Sequence, residues 1–269
     1  MRIAILARRF DSGGGGTERD LIVTAQCLRA AGHEIEIIAD EIRSPAGEWN
    51  VRRLGGPPLG RTLSLLRFAF MAAPAARRGG AELVLSFARA VGADAMRSGG
   101  GAHSSYLRAA RQWRSAAGAA AMRMRPYHRA QMLAERRAFT SPGLKRAIAV
   151  SELVRKDLIH EFGLAPEKTV TIYNGVDLER FRPLSGATAR AAARERFKIP
   201  ARARTVAFIG NGFARKGLGF LLEAWPMVPG APFLLVVGAD RSAAAYKFRA
   251  EALGIGERVI FAGPHPDAA

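Results

Sequence analysis

The sequence predicts an α/β protein with two Rossmann-like, doubly wound domains, because one order of elements occurs twice along the chain. Near the amino terminus, RIAILA reads as a buried strand, the glycine run 13–16 as a loop, and HEIEIIA as a second strand after an amphipathic helix. The order returns with the strands 205–210 and 233–238, which flank the loop NGFARKG and the helix LGFLLEAW. Both stretches are typical of parallel βαβ units.

The other elements have local reasons. Thr17 is expected to cap the first helix, and Gly32 is expected to end it. A helix is expected to start near Ser151, and another lies in the middle of the alanine-rich connector that precedes the second series. Further strands are predicted at 81–88, 145–151, 168–177 and 258–263.

The chain is predicted to divide into domains 1–174 and 175–269, because its composition becomes polar and alanine-rich after an Asn-Gly turn. The second domain shows three strands, whereas a doubly wound domain usually has about five or six strands on roughly 150 residues. We therefore expect the second domain to be incomplete and the chain to be truncated at its C-terminus.

Composition limits the classes of protein. The 269 residues carry a formal net charge of +18, which favours anionic partners. The single cysteine, Cys27, excludes a disulfide within the chain and suits a reducing compartment. No leader is visible, and the apolar windows are far shorter than the roughly 20 residues of a membrane span. A cytoplasmic protein is expected, associated with a membrane at most.

The loop NGFARKG indicates a diphosphate site at the end of its strand. Arg215 and Lys216 stand beside glycines just before a helix, where cations and backbone amides favour phosphate groups. The loop is not a Walker motif, because Gly217 stands where a Ser or Thr would hold magnesium. The glycine run 13–16 likewise lacks the spaced glycines of a nicotinamide site.

These loops, with the segments IAVSELVRKDL and VTIYNGVDLERFRP, resemble the retaining glycosyltransferases of family 4, which have the GT-B fold. The resemblance covers residues 1–263 and is greatest to lipopolysaccharide core glucosyltransferases. It implies two Rossmann-like domains that face a cleft, the first on the acceptor side and the second binding a nucleotide-sugar. Gly14, Gly15 and Gly16 would face the diphosphate and the donor sugar.

The resemblance also implies roles in the second domain and near the sugar. Arg215 and Lys216 would hold the departing diphosphate, and Gly210 and Asn211 would let the nucleotide approach. His103 matches a catalytic histidine near the sugar, although a histidine with no visible partner is also often structural. Asp20 matches an acidic residue past the glycine loop, and a helix-start charge explains it equally well.

The implied reaction moves a sugar from a nucleotide diphosphate donor, such as UDP-glucose, to a glycan or glycolipid such as lipopolysaccharide core. No separate cofactor is expected. No metal site is expected either, because the chain has no Asp-x-Asp pair and no metal-ligand spacing. The Glu-x7-Glu motif of the family, which contacts the donor, does not occur in this chain.

The segment 104–137 carries eight arginines against one acidic residue, Glu135, with apolar residues interleaved. This pattern favours binding to an anionic membrane surface, which would place the enzyme peripherally on the inner face of the cytoplasmic membrane. The alternative is a solvated helical face whose apolar side packs on the first domain. The interleaved apolar residues are Leu107, Trp113, Met122, Met124, Tyr127 and Met132.

Two other classes stay open. A nicotinamide oxidoreductase would explain the first βαβ unit and would use Asp40 or Glu41 at the end of the second strand. A basic nucleic-acid-binding protein would explain the net charge but not the paired loops. Nucleic acid is not expected as a partner, because no helix-turn-helix, aromatic RNA-binding sheet pattern or zinc knuckle is visible.

Overall fold

The computed structural model describes residues 1–57, 59–112, 114–179, 181–183 and 186–265. The chain forms two compact units, Met1–Gly175 (unit 1) and Val176–Ala269 (unit 2). Among the described helices, none combines the length and the apolar character that crossing a bilayer requires.

Unit 1 is built on one parallel sheet with the strand order β3-β2-β1-β4-β5-β6-β7. Its strands are β1 (Arg2–Phe10), β2 (Glu34–Ile42), β3 (Asn50–Arg53), β4 (Leu83–Ser86), β5 (Ala95–Ser98), β6 (Arg146–Ala149) and β7 (Thr169–Thr171). Its α-helices are α1 (Gly16–Ala30), α2 (Arg61–Arg78), α3 (His103–Ala109), α4 (Ala116–Met124), α5 (Pro126–Phe139) and α6 (Glu152–Phe162). The order is that of a Rossmann sheet with one added strand.

Unit 2 has a parallel sheet with the order β10-β9-β8. Its strands are β8 (Thr205–Ile209), β9 (Phe233–Val237) and β10 (Val259–Gly263), and its α-helices are α7 (Ala187–Arg196), α8 (Phe213–Lys216), α9 (Leu218–Ala224) and α10 (Ala243–Ala252). This is the order of the first half of a Rossmann sheet, so the predicted α/β class is confirmed in both units.

Strand β1 is buried on both faces. Because successive side chains of a strand point to opposite sides, Ile3 and Ile5 pack in the same cluster as Leu21 of α1. Ala4 and Leu6 pack on the other side with residues of α2, including Phe68. Helices on both faces explain why the strand reads as a continuous apolar run.

Several expected boundaries were wrong. Thr17 does not cap α1; Gly15 is the N-cap residue, without a side-chain hydrogen bond. The strand predicted at 168–177 is shorter in the structure, where it comprises only Thr169–Thr171. Strands β3 and β5 were missed because neither NVRR nor AMRS reads as a buried apolar run. In contrast, the Ser151 hydroxyl accepts a hydrogen bond from the Val154 amide, which confirms the expected start of α6.

The apolar face predicted for the helix after NGFARKG is confirmed. Leu218, Leu222 and Trp225 are buried in one cluster with strand residues Leu234 and Val236. The connector helix expected before the second series is also present, as α7.

Candidate functional site

The glycine loop lies at the carboxyl end of β1, the edge of a parallel sheet where ligands bind. The Gly13 amide donates to the Asp11 carboxylate (3.1 Å). A Cβ at Gly14 would lie 2.9 Å from Glu18 carbon atoms, whereas a Cβ at Gly16 would meet nothing within 4 Å. Close packing therefore requires glycine at Gly14 only, and the roles of Gly14, Gly15 and Gly16 toward a donor stay predictions.

Asp20 is held by Arg97. A carboxylate oxygen of Asp20 lies 2.5 Å from Arg97 Nη2, which also donates to Asn174 Oδ1 (2.7 Å). The Arg97 side chain is 11% exposed and lies over the Phe87 ring. Arg97 thus joins α1 to the Asn-Gly turn after β7, which gives Asp20 a structural role in this unit.

A cavity of about 210 Å³ lies beside these groups at the carboxyl edge of the sheet. Thr17 lines it from α1, and residues 97–100 line it from the end of β5. Arg89 and Glu135 also line it. This cavity, which we call the glycine-loop cavity, was not predicted from the sequence because β5 was not predicted.

His103 has partners that sequence reasoning did not find. Its Nε2 lies 2.9 Å from Nδ1 of His128, and the two rings stack with their centroids 5.1 Å apart. Its backbone amide donates to Glu135 Oε2 (2.7 Å), and Arg89 Nε donates to Glu135 Oε1 (3.0 Å). These partners were not visible in the sequence, where the only signal for Glu135 was that it is the one acidic residue in an arginine-rich segment, and the catalytic role of His103 stays a prediction.

Three groups of this network, His103, His128 and Glu135, have shifted pKa values. Burial lowers the pKa of His103 to about 4, with additional lowering from Arg89 and His128. Burial also lowers the pKa of His128, and Arg125, Arg61 and Arg114 add to the effect. The two imidazoles are therefore neutral at neutral pH, so that one donates the shared hydrogen bond and the other accepts it. Burial raises the pKa of Glu135 despite its contact with Arg89.

In unit 2, the ends of β8 and β9 are joined closely. The Asn211 side-chain oxygen accepts a hydrogen bond from the Ala239 amide (2.7 Å). The Gly210 amide donates to the Val237 carbonyl (2.9 Å). Gly210 and Gly238 have φ angles of +154° and +140°, and a Cβ at Gly238 would overlap the Gly210 carbonyl oxygen. Glycine is required here for a backbone-to-backbone approach.

Arg215 and Lys216 are exposed at the end of α8, which has four residues, and Gly217 (φ +83°) separates α8 from α9. The expected helix start after Gly217 is confirmed as α9, whereas the expected loop before it is wrong in part, because Phe213–Lys216 form the short helix α8. Within the described ranges, neither cation has a carboxylate partner. Their charges are therefore free to attract an anion.

Asp40, which the oxidoreductase reading would use, is 4% exposed. Its two oxygens lie 3.2 Å from Arg8 Nη2 and 2.7 Å from Arg67 Nη2. A carboxylate engaged in this way is not presented to a ribose. Over the described part of the chain, no three or more His, Cys, Asp or Glu side chains group as metal ligands would.

Known proteins share this architecture. Residues 14–180, more than half of the chain, match the family model of Glycosyltransferase Family 4. The chain therefore belongs to Glycosyltransferase Family 4, a family of transferase enzymes. A curated relative, the D-inositol 3-phosphate glycosyltransferase of Kineococcus radiotolerans, is 40% identical over 79 residues, which are 29% of this chain and 18% of the relative. The match thus spans less than a fifth of that relative's length.

Two solved structures have the same fold. WaaG, a glycosyltransferase involved in lipopolysaccharide biosynthesis, has a TM-score of 0.78 at 18% identity, over 98% of this chain and 70% of WaaG. Anabaena Alr3699/HepE in complex with UDP and glucose has a TM-score of 0.66 at 18% identity, over 99% of this chain and 70% of HepE. These likenesses confirm the predicted GT-B type of α/β fold.

Gly238→Ala should destabilise unit 2 by about 2–5 kcal/mol, because a methyl group there adds backbone overlap to the strain of a positive φ. Gly254→Ala is the matched control, because Gly254 also has a positive φ (+68°) but nothing within 4 Å of its Cβ position. Gly254→Ala should lower the free energy of unfolding by about 1–2 kcal/mol. Urea unfolding of both variants measures the difference, and equal losses would contradict the overlap.

The lowered pKa of His103 makes folding sensitive to mild acid. Because the folded value (about 4) lies below the ordinary 6.5, its stabilising contribution is complete above pH 6.5. It declines as pH falls through 6.5 toward about 4. The wild type should therefore lose unfolding free energy over this range more steeply than His103→Gln, in which Glu135 still titrates. His33→Gln controls for the loss of an imidazole; identical slopes for His103→Gln and the wild type would refute the prediction.

Proposed function

We propose that this protein is a nucleotide-sugar-dependent glycosyltransferase that uses UDP-glucose or a similar donor and a glycan or glycolipid acceptor. The observation that carries the proposal is the pair of exposed cations, Arg215 and Lys216, at the carboxyl end of β8 in a Family 4 chain. Anabaena HepE supports the donor class through its complex with UDP and glucose. WaaG supports a lipopolysaccharide-type acceptor.

In the proposed reaction, the bond between the anomeric carbon and the diphosphate oxygen breaks, and an acceptor hydroxyl forms the new glycosidic bond. Negative charge develops on the departing diphosphate, and Arg215 and Lys216 stabilise it without a metal ion. The open backbone at Gly210 lets the nucleotide approach the sheet edge. Asn211 fixes that edge through its bond to Ala239.

We propose retention of anomeric configuration, with the acceptor attacking from the side of the leaving group. The acceptor hydroxyl then gives its proton to the departing phosphate oxygen. His103, being neutral, would serve as a hydrogen-bonding group for a sugar hydroxyl rather than as a cation. Gly14, Gly15 and Gly16 would leave room for the diphosphate and sugar beside the glycine-loop cavity.

We further propose that the protein is cytoplasmic and binds the inner face of the cytoplasmic membrane through segment 104–137. All eight arginines of the segment are exposed. Of its apolar residues, Leu107, Met122 and Met132 pack together, while Met124 is 71% exposed; Trp113 lies outside the described residues. Attraction to anionic lipid therefore rests on charge more than on apolar insertion. The absence of a nucleic-acid partner stays a prediction.

The donor proposal predicts that Arg215→Gln/Lys216→Gln weakens UDP-glucose binding by about 10- to 100-fold, the loss expected for charge-assisted contacts. Titration calorimetry of UDP-glucose measures it. Lys198→Gln/Arg202→Gln is the matched control, because these exposed residues precede β8 at the opposite end of the strand. Wild-type affinity in the Arg215/Lys216 variant, or an equal loss in the control, would overturn the donor site.

The membrane proposal predicts that the protein sediments with phosphatidylglycerol vesicles and not with phosphatidylcholine vesicles, and that added salt releases it. Arg123→Gln/Arg125→Gln/Arg129→Gln should weaken this binding by about 100-fold, at about 1 kcal/mol per arginine. The control removes three exposed arginines elsewhere: Arg78, Arg146 and Arg190. If both variants lose the same affinity, net charge and not the segment is responsible.

A further inference from the structure

A second cavity in unit 1, which we call the arginine cavity, has a volume of about 440 Å³. It lies where β1 and β2 end and where α2 begins, and α5 closes one side. Its polar lining consists of Arg8, Arg9, Glu41, Arg43, Arg61, Arg89, Tyr127 and Gln131. Five guanidinium groups and one carboxylate line the cavity, which favours an anion, although most of these arginines also have carboxylate partners outside the lining.

The arginines of this cavity have unused hydrogen-bond donors. Arg8 Nε is buried without a hydrogen-bond partner, although Arg8 Nη2 pairs with Asp40 (3.2 Å). Arg61 has no carboxylate partner among the described residues, and its guanidinium stacks on the Tyr127 ring at 4.0 Å. A guanidinium has five N–H donors, so the pairing of one nitrogen leaves others for a ligand. Because Arg8 Nε is buried, a ligand in the cavity would meet the exposed guanidinium of Arg61 rather than this atom.

The surroundings carry a positive potential. Burial is the largest cause that lowers the pKa of His128, and the neighbouring arginines Arg125, Arg61 and Arg114 lower it further. Arg9, Arg43 and Arg89 are paired with Glu18, Glu41 and Glu135 respectively. Because these carboxylates balance one arginine each, Arg61 is the group most available to an additional anion.

We infer that the arginine cavity binds a phosphate monoester carried by the acceptor, so that the acceptor class is a phosphorylated sugar or polyol. The inference rests on the proposed transferase function and adds the group by which the acceptor is recognised. The volume falls in the range of small-ligand pockets, about 300–1,000 Å³, and accommodates one sugar with its phosphate. Bidentate guanidinium contacts favour phosphate over neutral hydroxyls.

The position of the cavity agrees with this assignment. Ala88 and Arg89 line both the arginine cavity and the glycine-loop cavity. An acceptor with its phosphate among the arginines can therefore direct a hydroxyl past Arg89 toward the donor sugar. Tyr127 and Gln131 offer hydrogen bonds to the other hydroxyls of the acceptor.

The test compares glucose 6-phosphate with glucose as probes for the complete chain, by titration calorimetry. Glucose 6-phosphate should bind about tenfold or more tightly than glucose, and inorganic phosphate should compete with it. Arg43→Gln/Arg61→Gln, both at exposed positions, should lose about tenfold or more of this affinity. Arg78→Gln/Arg146→Gln, exposed at the amino edge of the sheet, should change it less than twofold, as one expects without a direct contact.

The outcomes separate this inference from the transferase proposal. Unchanged UDP-glucose affinity in Arg43→Gln/Arg61→Gln, with lost glucose 6-phosphate affinity, supports the arginine cavity. Equal binding of glucose and glucose 6-phosphate, or an equal loss in the control pair, overturns the inference even if UDP-glucose binds. If the double variant does not fold, hydrogen exchange on the wild type decides: glucose 6-phosphate should protect residues 60–68 and 125–132, and protection elsewhere only would refute the site.

Either a free sugar or a lipid carries the phosphate, and an experiment with vesicles distinguishes the two sources. Vesicles containing phosphatidic acid present a phosphate monoester on a membrane. If inorganic phosphate and Arg43→Gln/Arg61→Gln both reduce binding to these vesicles, the cavity accepts a lipid-borne phosphate. If neither does while glucose 6-phosphate still binds, the cavity takes the phosphate of a free sugar.

Discussion

Unit 1 depends on carboxylates buried among arginines. Asp40, Asp94 and Glu135 are each less than 9% exposed, and each contacts at least one guanidinium. Asp94 also accepts the Val84 amide at 2.8 Å. An unpaired charge at such depth would be strongly destabilising, so these pairs fix where α2 and α5 sit on the sheet. Part of the large positive charge is therefore structural, and the remaining arginines surround the cavities.

The two proposed phosphate sites, one in each unit, are built by different means. In unit 1, long cationic side chains converge on a cavity whose walls come from several helices and strands. In unit 2, the backbone forms most of the site. Gly210 and Gly238 let two strand ends approach, and the Asn211 side chain accepts a hydrogen bond from Ala239 that joins these ends. Arg215 and Lys216 then stand free. The cavity in unit 1 favours selection of a ligand by its shape and chemical groups, whereas the exposed cations in unit 2 favour access by a large ligand.

The more apolar strands, the first helix and the start of α6 could be predicted because their signals are local. The burial of Ile5 and the Ser151 cap follow from periodicity and from one hydroxyl. The His103–His128 contact could not be predicted, because it joins residues 25 positions apart through the packing of α3 on α5. Strand β5 failed for a different reason: Arg97 and Ser98 interrupt its apolar pattern, since their side chains serve the ion pair with Asp20 and the cavity wall.

Arg89 is a wall shared by two compartments, and its carboxylate partner Glu135 also orients His103. A substitution at this position would alter the outline of both compartments and the histidine pair in a single step. Under the two binding proposals, the selectivity of one cavity cannot change without affecting the other, and compensating changes at positions 128 and 135 would have to accompany it. Homologous chains that differ at position 89 should therefore diverge in concert at these positions.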